Sequence, residues 1–154
     1  MEKMYRKYGD IAAFYIVYIS EAHAEDDKHP VPYAKKLGIK EHKTYADRCV
    51  VASLLKRDKK LTIHCLVDEI DNRVEKIYKG WPDRVFLIRK DGRLGVAGMR
   101  GPWGFGAAVN EAREWLAQYK KTGREPALPQ PDPSSKAEAT GTDSRDTNTS
   151  LAKG

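Results

Sequence analysis

The sequence predicts a mixed α/β domain in which parallel strands alternate with helices and an antiparallel hairpin closes one edge. Three observations predict it. The run Ala12–Ile19 is apolar, aromatic and β-branched, as a buried strand requires. Helix-period segments separate it from the next such run, and strands separated by helices pair in parallel. Asp91-Gly92 stands between two further apolar runs, the composition of a tight hairpin turn.

Taken in order, Glu2–Gly9 reads as the last turns of a helix leading into the strand 12–19. Thr44-x-x-Asp47 is a capping-box-like start for a helix to Arg57, with Cys49, Ala52 and Leu55 beside Ala46, Val50 and Leu54 as its apolar side. Leu61–Val67 is a second strand. Asp71 or Asn72 caps a short helix through Tyr78, stopped at Gly80. Arg84–Arg89 and Leu94–Met99 form the hairpin. Ala107–Lys121 closes the fold, turning Ala108, Ala112, Trp115, Leu116 and Tyr119 inward. This is the element order of a thioredoxin-like, three-layer α/β domain.

A boundary falls at Thr122. Beyond it come Pro126, Pro129, Pro131 and Pro133, then a Ser/Thr/Asp/Ala run with no aromatic residue. Such a segment buries too little apolar area to offset its ordering entropy. The expected organisation is a folded domain over 1–122 and a disordered tail over 123–154.

Charge and cysteine usage exclude several classes. The net charge is +6, and the tail carries five acids against four bases, so the folded part holds the whole positive excess. No helix-turn-helix, RNP or zinc-finger pattern accompanies it, which argues for a solvated basic surface and against nucleic acid. The longest apolar run is about eight residues against the roughly 20 of a membrane span, and the N-terminus has no apolar signal region. A cytoplasmic protein without a membrane segment is the expectation. Cys49 and Cys65 match no zinc or Cys-x-x-Cys spacing and read as reduced, buried thiols. Glu21, His23, Asp26 and Asp27 lie close in sequence, but no second cluster completes a metal shell.

Chemistry in open α/β sheets sits past the carboxyl ends of strands, and Glu21 and His23 follow the first strand at once. In extended backbone, residues two apart face one side. A carboxylate can then hold the tautomer of an imidazole that titrates near neutral pH. Gly101-Pro-Trp-Gly-Phe-Gly106 lacks the Gly-Lys-Ser/Thr of a phosphate loop and reads as a turn seating Trp103 against the core. Trp81-Pro82 before a strand could hold a cis proline, as thioredoxin-like folds often do, while from sequence alone a trans bond is the base-rate answer. His29 and His64 read as structural or surface residues.

Four motifs carry a family resemblance from Met4 to Tyr119. They are Tyr18-Ile-Ser-Glu-Ala-His-Ala-Glu-Asp26, His42-Lys-Thr-Tyr-Ala-Asp-Arg48, Leu66-Val-Asp-Glu-Ile-Asp-Asn72, and the pair Trp81-Pro-Asp-Arg-Val-Phe-Leu-Ile88 with Gly98-Met-Arg-Gly-Pro-Trp-Gly-Phe105. In this order and spacing the chain resembles the iodothyronine deiodinases. The resemblance implies reductive dehalogenation of iodinated aromatics by a selenocysteine or cysteine, reset by a thiol reductant, with no bound cofactor. It implies Glu21 and His23 as the acid–base pair, His42 as a second site histidine, and Arg100 with Trp103 as the substrate clamp. Asp26-Asp27-Lys28 replaces the family's frequent Asp-Gly-Trp, and His64-Cys65 replaces a common proline.

By the same alignment the chain lacks the family's nucleophile, its first strand and the start of its first helix. Ala12–Ile19 is then the second strand, and the unit ending at Val67 an insertion. The open edges of such a sheet favour aggregation or pairing with another chain, a homodimer included. A selenocysteine UGA codon read as a stop would account for the start at Met1, so the upstream DNA is expected to continue in frame. Two rival readings are a thioredoxin-like peroxide or disulfide reductase, and a truncated, non-catalytic binding module.

Overall fold

The computed structural model describes residues 1–128. Its element order is α1 (Glu2–Tyr8), β1 (Tyr15–Tyr18), α2 (Pro32–Leu37), α3 (Tyr45–Asp58), β2 (His64–Val67), α4 (Arg73–Tyr78), β3 (Phe86–Ile88), β4 (Leu94–Ala97) and α5 (Trp103–Thr122). The architecture is mixed α/β, as the alternating patterns predict. β1 and β2 run parallel, with Tyr15 opposite His64 and Tyr18 opposite Val67. β3 and β4 pair antiparallel, Phe86 opposite Ala97.

The two pairs form separate sheets. Among the described residues no strand pairs with the second edge of β1 or of β3, so no strand ladder joins the hairpin to the parallel pair. Tyr15, Val17, Leu66 and Ile88 are correspondingly exposed.

Local chemistry explains the helices. Thr44 accepts from the Asp47 N–H at 3.1 Å while the Asp47 carboxylate accepts from the Thr44 N–H at 2.9 Å, so the capping box forms as its spacing predicts. Helix α2 is absent from the sequence reading. Its signal is nonetheless present: Pro32 occupies the first turn, and Gly38 ends the helix at φ 65°, a left-handed conformation that glycine adopts without penalty. Helix α5 begins at Trp103, four residues before the expected Ala107, directly after Pro102. Gly104 in its first turn lies on the Met99 backbone, where a Cβ would clash.

The main core lies between α1, the hairpin and α5. Met4, Tyr8, Val85, Val96, Ala108, Ala112 and Leu116 form it, and Trp115 packs at its margin. The ring of Trp115 stacks on Tyr119 with centroids 5.5 Å apart. On α3 the inward residues are Arg48 and Ala52, while Ala46 and Val50 face solvent. The expected apolar stripe therefore gives way to a buried arginine. Cys49 and Cys65 are free and half-buried, not enclosed as expected. The Trp81–Pro82 bond, expected trans, is cis, as is Gly101–Pro102.

Of the expected tail, residues 129–154 lie outside the described residues. Its first part docks on the hairpin, where Glu125 accepts from the Arg89 Nε at 3.1 Å and from the Lys90 N–H at 2.9 Å. Among the described residues no helix is long and apolar enough to cross a membrane.

Candidate functional site

β1 ends at Tyr18, and the chain then turns through residues 20–31 without regular structure. The Tyr18 ring is buried, and its hydroxyl donates to the Glu21 carboxylate. That carboxylate is half-buried. Burial raises its pKa above the ordinary 4.5, and the charge of His23 offsets part of the rise. His23 itself is exposed, and its carbonyl accepts from the Val31 N–H at 3.3 Å. The Glu21 carboxylate thus feels the His23 charge across a turn and not along an extended strand, and no hydrogen bond joins the two side chains among the described residues.

His42 joins them from the segment before α3. Two backbone links bring it there: the Glu25 N–H donates to the Ile39 carbonyl at 2.6 Å, and the Glu41 N–H donates to the Asp26 carboxylate at 2.9 Å. The second link holds the Asp26 pKa below its ordinary value. The His42 ring lies 5.7 Å from the Tyr18 ring and is 8 % exposed. Neither ring nitrogen has a hydrogen-bond partner among the described residues. Burial, then the nearby Arg48 charge, depress its pKa below 6.5, so the ring is neutral at neutral pH. Tyr18 therefore carries Glu21 at its hydroxyl and His42 against its face.

Two clefts open beside this cluster. One of about 290 Å³ is lined by Glu21, Ala24, Asp26, Asp27, Lys28 and Glu41. The other, about 540 Å³, is lined by His42, Asp26, Lys40, Glu41, Lys43 and Asp47 among others. Asp26 and Glu41 belong to both. Among the described residues no group of three or more His, Cys, Asp or Glu side chains could hold a metal.

Arg100 and Trp103 stand elsewhere, at the entry to α5. Both are exposed, and Trp103 at 91 % does not seat against the core as expected. It occupies the first turn of α5, where the side chain points away from the packed Ala108–Ala112 face. Among the described residues no hydrogen bond, ion pair or ring contact joins either residue to Glu21, His23 or His42. Arg84, which sequence reasoning passed over, ties their loop to α4. Its Nε donates to the Gly98 carbonyl at 2.7 Å and an Nη to the Tyr78 carbonyl at 3.0 Å. Gly101 leaves room beside it for the Asp83 carboxylate, which a Cβ there would displace.

Other residues missed in sequence are the supports of the cluster: Arg48, Asp68, Ser20 and Glu75. The Ser20 hydroxyl donates to the Glu75 carboxylate across 55 positions of sequence. Cys65 lies on β2 opposite Ile16, and burial pushes its thiol above the ordinary range, away from thiolate character.

Comparison with known proteins adds a direct finding. Residues 1–120 match the family model described as iodothyronine deiodinase. The chain is 33 % identical over 121 residues to a thyroxine 5-deiodinase of Sparus aurata, covering 77 % of this chain and 42 % of that protein. It is 34 % identical over 111 residues to a thyroxine 5-deiodinase of Gallus gallus, covering 72 % and 41 %. It is 32 % identical over 123 residues to a type II iodothyronine deiodinase of Neoceratodus forsteri, covering 77 % and 45 %. The chain spans less than half the length of each of these relatives.

Proposed function

The chain belongs to the iodothyronine deiodinase family of thioredoxin-like oxidoreductases, and from that premise we propose that it handles substrate and protons in the reductive deiodination of iodinated aromatics. In this reaction a selenolate or thiolate takes the iodine. The electron pair of the carbon–iodine bond stays on the ring carbon, which takes up a proton. Two thiols of an external reductant then cleave the nucleophile–iodine bond, leaving as a disulfide with release of iodide.

The observation that carries this reading is the Tyr18-centred cluster, with Glu21 on the hydroxyl and His42 on the ring. A carboxyl whose pKa burial raises keeps a proton to deliver nearer neutral pH. His23 stands exposed beside it. His42, its ring nitrogens buried without a hydrogen-bond partner among the described residues, reaches a phenolic oxygen only where substrate opens its packing on Tyr18. Arg100 supplies a forked donor for an anionic or phenolic group at the other end of the substrate. Neither cysteine serves as the nucleophile in this account. Cys65 is held toward the protonated thiol, and no residue of this chain is assigned that role.

Arg100 provides the test. Thyroxine should bind the chain saturably, followed by quenching of tryptophan fluorescence, and Arg100→Ala should weaken binding about tenfold, near the value of one charged hydrogen bond. Binding unaffected by Arg100→Ala would remove the clamp. Thiol-dependent consumption of hydrogen peroxide without thyroxine binding would favour the peroxide reductase instead.

A further inference from the structure

We infer that Glu75 is a positioning residue for Glu21, acting through the Ser20 hydroxyl inside a closed ring of hydrogen bonds. The inference rests on the acid–base reading of Glu21 given above.

The ring begins where β1 ends. The Asp68 N–H donates to the Tyr18 carbonyl at 2.9 Å, continuing the parallel pairing one residue past Val67. The Asp68 carboxylate, itself 2 % exposed, accepts from the Val74 N–H at 2.9 Å and the Glu75 N–H at 2.8 Å. These are N–H groups of the first turn of α4, which have no partner within the helix. Asp68 thus fastens α4 to the end of the strand pair. Glu75 then reaches back and accepts from Ser20, two residues beyond Tyr18 and one before Glu21. Tyr18, Asp68, Glu75 and Ser20 close on one another, so Glu21 leaves the ring in a set direction.

Two further contacts hold the ring in place. Arg48 donates to the Glu69 carbonyl at 2.6 Å and to the Asn72 side-chain oxygen at 2.7 Å. Asn72 precedes α4 in a left-handed conformation (φ 59°) and makes no side-chain cap, because its oxygen is already engaged. Independently, a Cβ on Gly80 would touch both the Ile19 side chain at 3.7 Å and the Glu75 backbone at 3.8 Å, so the end of α4 approaches the residue that follows β1. The Glu75 carboxylate is half-buried and forms no ion pair among the described residues. Its one recorded side-chain partner is Ser20.

The test follows Glu21 directly. In the ¹³C-labelled 154-residue chain, the Glu21 carboxyl and Tyr18 ring resonances report the Tyr18–Glu21 bond. Glu75→Ala and Ser20→Ala should shift both resonances alike, and the double variant should add nothing. Glu75→Gln, which keeps the acceptor, should restore the parent positions. Unshifted resonances in Ser20→Ala, or shifts that sum in the double variant, would overturn the inference. If Glu75→Ala lowers the melting temperature too far for use, Ser20→Ala and Glu75→Gln decide it alone. Thyroxine affinity of the same variants reads the other claim separately. Shifts without any thyroxine binding would leave Glu75 as the positioning residue of Glu21 and remove the deiodinase reading.

Discussion

The guanidinium of Arg48 donates to the side-chain oxygen of Asn72 at 2.7 Å, joining the first turns of α3 to the entry of α4. Arg48 is 2 % exposed and also donates to the Asp68 and Glu69 carbonyls. One side chain therefore satisfies three acceptors on the loop that supports the site. Arg48→Met should strand those acceptors and cost at least about 3 kcal/mol, since each lost charged hydrogen bond is worth about 1.5–3 kcal/mol. Urea denaturation checks this. A loss below about 1 kcal/mol would mean that water replaces the guanidinium freely.

The capping box of α3 has a smaller, separable effect. Thr44→Ala should destabilise the chain by about 1 kcal/mol, the usual worth of such a cap. It should leave thyroxine binding unchanged, because Thr44 is exposed and lines neither cleft beside the cluster. A change in binding would link the helix start to the site.

His42 and Glu21 make stability depend on pH in opposite senses. His42 is depressed below 6.5 by burial and by Arg48, so the unfolded chain takes up the proton first. Its contribution is complete above pH 6.5 and is lost as pH falls through that value toward the lower folded pKa. Glu21 is raised above 4.5 by burial, so the unfolded chain ionises first. Its contribution is complete below pH 4.5 and is lost as pH rises toward the folded value. Urea midpoints between about pH 4 and 8 should lose only the first dependence in His42→Leu and only the second in Glu21→Gln. Unaltered profiles would place both groups in water.

His23 and His29 offer a contrast in activity. When the nucleophile-bearing segment of a relative is joined ahead of Met1, His23→Ala should slow iodide release roughly 100- to 10,000-fold, the usual worth of a general acid–base group. His29→Ala should change it little, since His29 lies exposed in the turn region beyond the cluster. Equal losses at both would remove the assignment of His23.

Much of this was legible in the sequence, and the gaps have physical reasons. The capping box of Thr44, the Asp91-Gly92 hairpin and the inward face Ala108–Ala112–Leu116 are local patterns, and each forms as read. Glu21 and His42 both meet Tyr18 at one end of β1, with His23 exposed close to Glu21. Arg48 was hidden because a buried arginine breaks the apolar periodicity on which the α3 reading relied. Asp68 was hidden because the cap of α4 comes from a side chain five residues upstream of Arg73, while attention went to Asp71 and Asn72. The Ser20–Glu75 bond spans 55 positions and has no local signature at all. Trp103 was misplaced because an aromatic residue between glycines suits a packed turn and an exposed helix start equally well.

The most direct measurement is calorimetric titration of thyroxine into the 154-residue chain with excess dithiol, with iodide assayed in the same solution. Saturable binding without iodide release is the expected result, because Glu21, His42 and Arg100 are the proposed substrate and proton groups, while burial holds Cys65 toward the protonated thiol and Cys49 lies half-buried on α3. Absence of binding would contradict the account at its centre. So would iodide release that disappears in Cys65→Ser, since the reactive sulfur would then lie within the chain.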